Sequence, residues 1–366
     1  MRFSLTFLVV FLYFNSFSCY NEFYALDSKG NFHPIEMGAI RFDKNFDLHR
    51  IEKKLAQIAG KLAVKADYKL LSDYALYLVK GGKVKEALVI FEALAKAYPN
   101  EYSIIANLGT TYELSGNNEK ALEYIRKGLK LNPNSHGGSE WIHVRLLQAK
   151  IGLAKDANYF RENNVLNLTS KQETSEKVRQ QLYIQLQERF PFCKGPDPIM
   201  ADLFIDLGDC YAETISFEHA KALYQIAKFY YNSDRPDIDE KIGRVKKLRE
   251  KYADREPETD PEKIKMGMSE KVDGISYTYC IHDQNADNYQ INWSGIETNP
   301  DKLLAMTGLE RIKEEQPEPK TLEKIVKKDP VVTNTVKKPN NSMLWIGLTI
   351  AVLIIALFTY FKSKRK

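Results

Sequence analysis

The side chains best able to bind a metal or carry nucleophilic chemistry are six histidines, His33, His49, His136, His143, His219 and His282, and four cysteines, Cys19, Cys193, Cys210 and Cys280. Their spacing argues against both uses. The chain has no Cys-x-x-Cys, His-Glu-x-x-His, calcium loop, glycine-rich phosphate loop or nucleophile elbow. His136 and His143 flank Gly137-Gly138, but that interval is not a metal-ligand spacing for a single helix, and no cysteine joins them. Glu140, Trp141 and His143 form a polar–aromatic cluster that could touch a ligand. The plainer alternative makes Trp141 a core anchor and leaves the other two solvated. Catalytic residues, metal and cofactor are therefore all expected to be absent. Cys193 and Cys210 are the nearest cysteine pair in the body, and an oxidising compartment would allow a bridge between them; the alternative is that both are small buried apolar groups. Asn167-Leu168-Thr169 fits a glycosylation acceptor, relevant only in a host that modifies such sites.

The elements that would position these groups repeat. Gly82, Ala87, Phe91 and Pro99 recur 34 residues later as Gly116, Ala121, Ile125 and Pro133, with no insertion. The second copy adds Leu108-Gly109 and Tyr112 before its glycine. A third, near 201–234, keeps the same offsets in Leu207-Gly208, Tyr211, Ala220, Tyr224 and Ala227. Each copy reads as two helices. The first spans 68–101, with helices over Tyr68 to Lys80 and Lys85 to Ala97. The second spans 102–135, with its first helix over Ser103 to Ser115. Glycine takes the positive φ that ends one helix, small residues let the two approach, and proline stops the second. In the third copy Ile215 replaces the turn glycine and Asn232 stands where proline would, so that unit must turn differently.

Helical periodicity also marks Leu48 to Ala63 (Ile51, Leu55, Ile58, Leu62) as an N-terminal cap. Glu140 to Leu153 and Ser175 to Phe190 form a degenerate pair within 139–190, and Ile238 to Tyr252 a distal cap. The whole helical body covers 48–252, after an extension over 19–47.

These residues resemble the tetratricopeptide repeat, a helix–turn–helix unit of about 34 residues. No copy has the tryptophan common near the start of that motif; Leu71, Ile105 and Phe204 take its place. The resemblance implies an all-α solenoid whose concave side, lined by the first helix of each copy, holds segments or helices of other proteins. Its groove positions fall on Lys69, Ser72, Leu76 and Lys80; on Ser103, Ala106, Asn107, Thr110 and Glu113; and on Asp202, Ile205, Asp209 and Glu213. Some relatives grip a C-terminal carboxylate with Lys and Asn where this chain has Ser72 and Leu76, so that clamp is not implied.

Beyond the body, 253–341 shifts toward Glu, Lys, Pro and Asn and reads as a tether, most strongly from Lys313 to Asn341. Within it, Ile275, Tyr277, Tyr279 and Ile281 alternate with polar residues, as do Tyr289, Ile291 and Trp293. The pattern predicts a small β-hairpin over 275–294. A lone hairpin is marginal in water, so it must dock on the scaffold, pair with a partner or stay disordered.

The two ends set the expected placement. Residues 1–18 read as a secretory signal ending in Ser16-Phe17-Ser18; an uncleaved anchor and lipidation at Cys19 are the alternatives. Residues 343–361 carry no charge, are bracketed by Trp345 and Tyr360, and precede Lys362, Lys364, Arg365 and Lys366. That pattern predicts a transmembrane helix over 342–361 in the lipid bilayer, with the basic tail 362–366 cytoplasmic. The expected setting is a bacterial inner membrane with the body in the periplasm. The formal charge of +5 includes these terminal cations, and no dense basic stripe suggests nucleic-acid binding. Two readings follow: a membrane-tethered scaffold of the cell envelope, or a receptor subunit of an envelope transport machine that binds by strand addition through the hairpin.

Overall fold

Helix α1 (Leu48–Val64) forms where Ile51, Leu55, Ile58 and Leu62 repeat on one face, and all four are buried. The Asp47 carboxylate accepts from Arg50 N at 2.9 Å and caps its start. The first copy follows as α2 (Tyr68–Lys80) and α3 (Val84–Ala97), the second as α4 (Tyr102–Leu114) and α5 (Asn118–Leu131). Gly82 and Gly116 sit at φ +87° and +89°. In each turn the next amide reaches back into the finished helix, Lys83 N to Leu78 O at 2.8 Å and Asn117 N to Tyr112 O at 2.9 Å. Side chains rarely tolerate that left-handed backbone, so glycine serves both turns. Helices α3 and α5 each stop two residues before Pro99 and Pro133.

The computed structural model describes residues 22–35, 40–253, 269–271 and 276–312. The segments read as signal, far tether, transmembrane helix and basic tail, together with Cys19, lie outside them. Among the described residues no helix is long and apolar enough to cross a membrane.

The degenerate pair is α6 (Glu140–Lys155) and α9 (Glu176–Arg189), separated by the single turns α7 (Tyr159–Glu162) and α8 (Ser170–Glu173). The third copy is α10 (Pro198–Thr214) and α11 (Phe217–Gln225), which runs into one π-helical turn, Ile226–Tyr230. Its turn is indeed built differently. Ile215 keeps a negative φ of −137°, Ser216 N still reaches Tyr211 O at 2.9 Å, and the Ser216 hydroxyl caps α11. Asn232, at φ +57°, ends the unit in place of proline. Helix α12 (Ile238–Lys251) packs on α11 as the distal cap. In the second and third copies the helix-A glycine admits its partner helix: a Cβ on Gly109 would stand 2.7 Å from Ile125, and one on Gly208 2.4 Å from the Tyr224 ring.

The body is helical, but small β elements flank it. Strands β1 (Glu22–Leu26) and β2 (Phe32–Ile35) make an antiparallel hairpin over an Asx turn at Asp27, and β4 (Ser269–Lys271) joins β1 in parallel. Ser28 N donates to Ala212 O, and Leu26 shares a small apolar cluster with Phe217, Val245 and Tyr252. The N-terminal extension is thus pinned to the third copy. Strand β3 (Phe42–Asp43) pairs in parallel with β5 (Ile281–His282).

That pairing corrects the expected hairpin over 275–294. Ser276 caps a single turn, α13 (Tyr277–Cys280), so the alternating tyrosines never form a strand; β5 is two residues long, and Trp293–Gly295 is a 3₁₀ turn. Of the three fates open to it, docking is the one found. Tyr289 Oη donates to Glu52 at 2.5 Å, and Trp293 lies so close to Gly81 that a Cβ there would be 2.8 Å from the indole. Tyr74 Oη donates to Glu297 O at 2.8 Å. Helix α14 (Pro300–Ala305) buries Leu303 and Leu304 against the body beside α3. Residues 276–312 therefore form a strap, not a tether: its first turn packs against α11 of the third copy, and its later part lies on α1 and the first copy.

Cys193, Cys210 and Cys280 are free thiols, so the bridge that one of the two readings allowed between Cys193 and Cys210 is not formed here. Cys210 points into the core of α10, and Cys193 lies in the turn after α9. Burial raises all three, Cys193 and Cys280 to about 11, which disfavours the thiolate.

If the strap belongs to the folded core, Leu304→Ala lowers stability by about 2–5 kcal/mol, the usual cost of a buried leucine. Urea unfolding followed by circular dichroism checks this; a tether residue would change nothing.

Candidate functional site

The buried charge at the heart of the stack is Glu113, in the last turn of α4. Its side chain is 2% exposed. Three basic side chains from two other helices surround it. Arg189 Nη1 (α9) donates to both carboxylate oxygens at 2.9 and 3.1 Å, His143 Nε2 (α6) lies at 2.7 Å, and Lys150 Nζ (α6) donates at 2.8 Å. Burial alone would raise this carboxyl, but Arg189, His143 and Lys150 outweigh it and hold it well below its ordinary value of 4.5. The other ring nitrogen of His143, Nδ1, faces Glu140 at 3.5 Å, and His136 spans Glu140 at 3.6 Å and Glu188 at 2.8 Å. Acids and bases so alternate from Glu188 through His136, Glu140 and His143 to Glu113. Burial pushes Glu140 up, but hydrogen bonding and charge from His143 leave it lowered; the hydrogen bond to Glu188 raises His136.

Above this network lies an open cleft of about 580 Å³ between α2, α4, α6 and α9. Phe46, Leu76, Tyr77 and Phe192 give it apolar walls, and Lys80, Asn107, Thr110 and Arg50 give it polar ones. The strap contributes Gln284, which donates to Asp43 at 2.9 Å.

Of the residues expected to line a groove, Leu76, Lys80, Ala106, Asn107, Thr110 and Glu113 meet here. Ser72 is buried in the stack, while Lys69 and Ser103 are exposed away from the cleft. The third copy's positions are covered by the chain itself. Asp202 accepts from Val165 N at 2.7 Å and from Arg235 at 2.8 Å, and Ile205 is fully buried. Asp209 takes Lys241 at 2.6 Å and Tyr224 Oη at 2.7 Å, and Glu213 accepts from Ser28 Oγ at 2.8 Å. The plainer reading of Glu140 and His143 as solvated is also corrected, since both are buried. Trp141 is half-buried and donates to Gln181 at 2.9 Å. Sequence reasoning missed Arg189 and Lys150. The available signal was the polar face of α9, where Gln185 and Arg189, four apart, sit among buried leucines.

Residues 103–135 match the family model of the tetratricopeptide repeat, so one such repeat is present there. Over 79 residues the chain is 35% identical to the protein CTR9 homolog of Arabidopsis thaliana, a stretch of 22% of this chain and 7% of that protein. The chain thus spans under a tenth of the length of that relative.

Removing Glu113 strands a buried guanidinium, so Glu113→Ala should cost about 3–5 kcal/mol, while Glu113→Leu with Arg189→Met should recover most of it. The depressed carboxyl contributes stability that is present above pH 4.5, its unfolded value, and is lost as pH falls through its lower folded value. His136, raised above 6.5, contributes below that pH and loses its share as pH rises through its folded value. Urea midpoints of the wild type and Glu113→Ala across this range check both signs.

Proposed function

We propose that this protein is a membrane-tethered scaffold of the cell envelope that holds a segment of another protein in the cleft between α2 and α4. The observation that carries this reading is the convergence of Leu76, Lys80, Ala106, Asn107 and Thr110 on one open cleft. A partner-binding surface is the usual role of stacked repeats, whose extended inner faces accept extended or helical ligands. The matched repeat at 103–135 supplies α4 and α5, and so one wall of the cleft.

The role is non-catalytic in this reading. Glu113, His143 and Arg189 satisfy one another, which suits a rigid floor better than a reacting group. The tethering rests on the uncharged run 343–361, the basic tail and the signal-like residues 1–18. Strand addition through the tyrosine–tryptophan segment loses its basis, because that segment is docked on the body, Tyr277 against the third copy and Tyr289 and Trp293 against α1 and the end of α2.

A photo-crosslinker placed at Thr110 in the full chain, in intact cells, should give discrete protein adducts. One at Asp209, covered by Lys241, should give few. Equal yields at both positions, or none at Thr110, would refute the cleft as the binding face. Protease added to spheroplasts should degrade the body and spare a tag placed after Lys366; loss of the tag would refute the topology.

A further inference from the structure

Helix α10 carries Asp202, Asp206 and Asp209 at helical spacing, so the three carboxyls share one face. Two of them are matched. Asp202 takes Val165 N and Arg235, and Asp209 takes Lys241 and Tyr224 Oη. Asp206 is not. It is 7% exposed, and its Oδ2 is buried with no hydrogen-bond partner among the described residues.

The groups around it oppose its charge more than they support it. Asp202 and Asp209 flank it on α10, and Glu173 acts on it from α8. Arg235, just before α12, acts the other way but is held by Asp202 and Asp237; Lys241 of α12 is held by Asp209. From α9, Arg179 lies over the Tyr211 ring, 5.0 Å from its centre. Burial pushes the Asp206 carboxyl well above its ordinary value of 3.8; Asp202, Asp209 and Glu173 push the same way, and Arg235 opposes them. Burial raises Glu173 too, with Asp209 and Glu213 adding to it and Lys241 opposing. Among the described residues no three acidic, histidine or cysteine side chains are arranged to hold a metal ion, which leaves a proton to neutralise Asp206.

The segment 164–175 covers this row. Val165 and Leu166 are buried, and Val165 N donates to Asp202 at 2.7 Å. Asn167, at φ +50°, then turns the chain into α8, which packs on α10. That single turn closes on itself through the Thr169–Gln172 capping box and its own amides. Among the described residues no hydrogen bond or ion pair ties 167–175 to α10. Apolar packing and one backbone amide therefore hold the cover down over a row of carboxyls.

We propose that residues 164–175 form a proton-controlled lid on the third copy, closed while Asp206 is neutral and lifted when Asp206 and Glu173 are both charged. Lifting gives Asp206 to water, where its charge costs least, and separates it from Glu173. The sign follows from the raised carboxyl. Closure is complete below the ordinary value of 3.8 and weakens as pH rises toward the raised one. Between the two, the opening equilibrium grows about tenfold per pH unit. A cover indifferent to charge would show no such slope.

Hydrogen exchange of the full-length protein in detergent, read by mass spectrometry, compares the wild type with Asp206→Asn at matched pH, which cancels the pH dependence of amide exchange itself. A lone helical turn does not persist in water, so lifting should melt α8. At about pH 5 the two proteins should protect 165–175 alike, and at about pH 8 the wild type should exchange there about tenfold faster. Helices α2 to α5 should match at both pH values. Glu173→Gln, at a half-buried place on the lid, is the second variant, and it should also slow exchange of 165–175 at about pH 8. Equal exchange of that segment in the wild type and Asp206→Asn at the higher pH would overturn the lid. Where Asp206→Asn does not fold, equal exchange in the wild type and Glu173→Gln would do so. A difference spread evenly over α9 to α12 would also overturn it, since Asp206 would then act on the whole third copy.

Discussion

A carboxylate shut away from water must be matched by cations or it will not stay charged, and Glu113 is matched from outside its own repeat. Arg189 arrives from α9 and His143 and Lys150 from α6, so one residue on α4 ties the second copy to the degenerate pair. This tie is directional where apolar packing is not. Alanines and leucines would let α9 slide or rotate; the two contacts of one guanidinium nitrogen with the carboxylate restrict both. The cleft stands on this arrangement, because α9 supplies the wall opposite α2 and α4. A solenoid of regular copies would leave that side open.

The ends of the chain act on the same problem from outside. The β1–β2 hairpin is pinned to the third copy, the strap 276–312 runs from the third copy to the first, and β3 and β5 pair the N-terminal extension with the strap. Terminal repeats normally need polar caps, since each exposes a face that a neighbour would bury. Here that work is shared between α1, α12 and these two arms. The third copy shows the consequence. Its groove positions are covered by the chain's own cations and loops, and among the described residues only the first two copies contribute theirs to the cleft.

Much of this was legible because it is local. The 34-residue register, the two glycines at positive φ and the two prolines placed α2 to α5 nearly to the residue, and the loss of glycine at Ile215 foretold a different turn. What escaped depends on distant pairing. Tyr277 and Tyr279 alternate as a strand would, yet the partner that decides their fate, Phe42–Asp43, lies near the other end of the chain. Cys193 and Cys210 are close in sequence, but one helix face turns Cys210 into the core. Glu113 was legible as a groove position. Its burial was not, because nothing in α4 announces that Arg189 will lie above it.

The central claim is that the Glu113 carboxylate fixes α9 on the second copy. Native-state hydrogen exchange of the full chain carrying Glu113→Gln tests it most directly, since that substitution keeps the shape and removes the charge. The account predicts a selective loss of amide protection in α9 and in the part of α6 around His143, with α2 and α3 unchanged. Uniform loss across all helices, or α9 protection equal to that of the wild type, would contradict it.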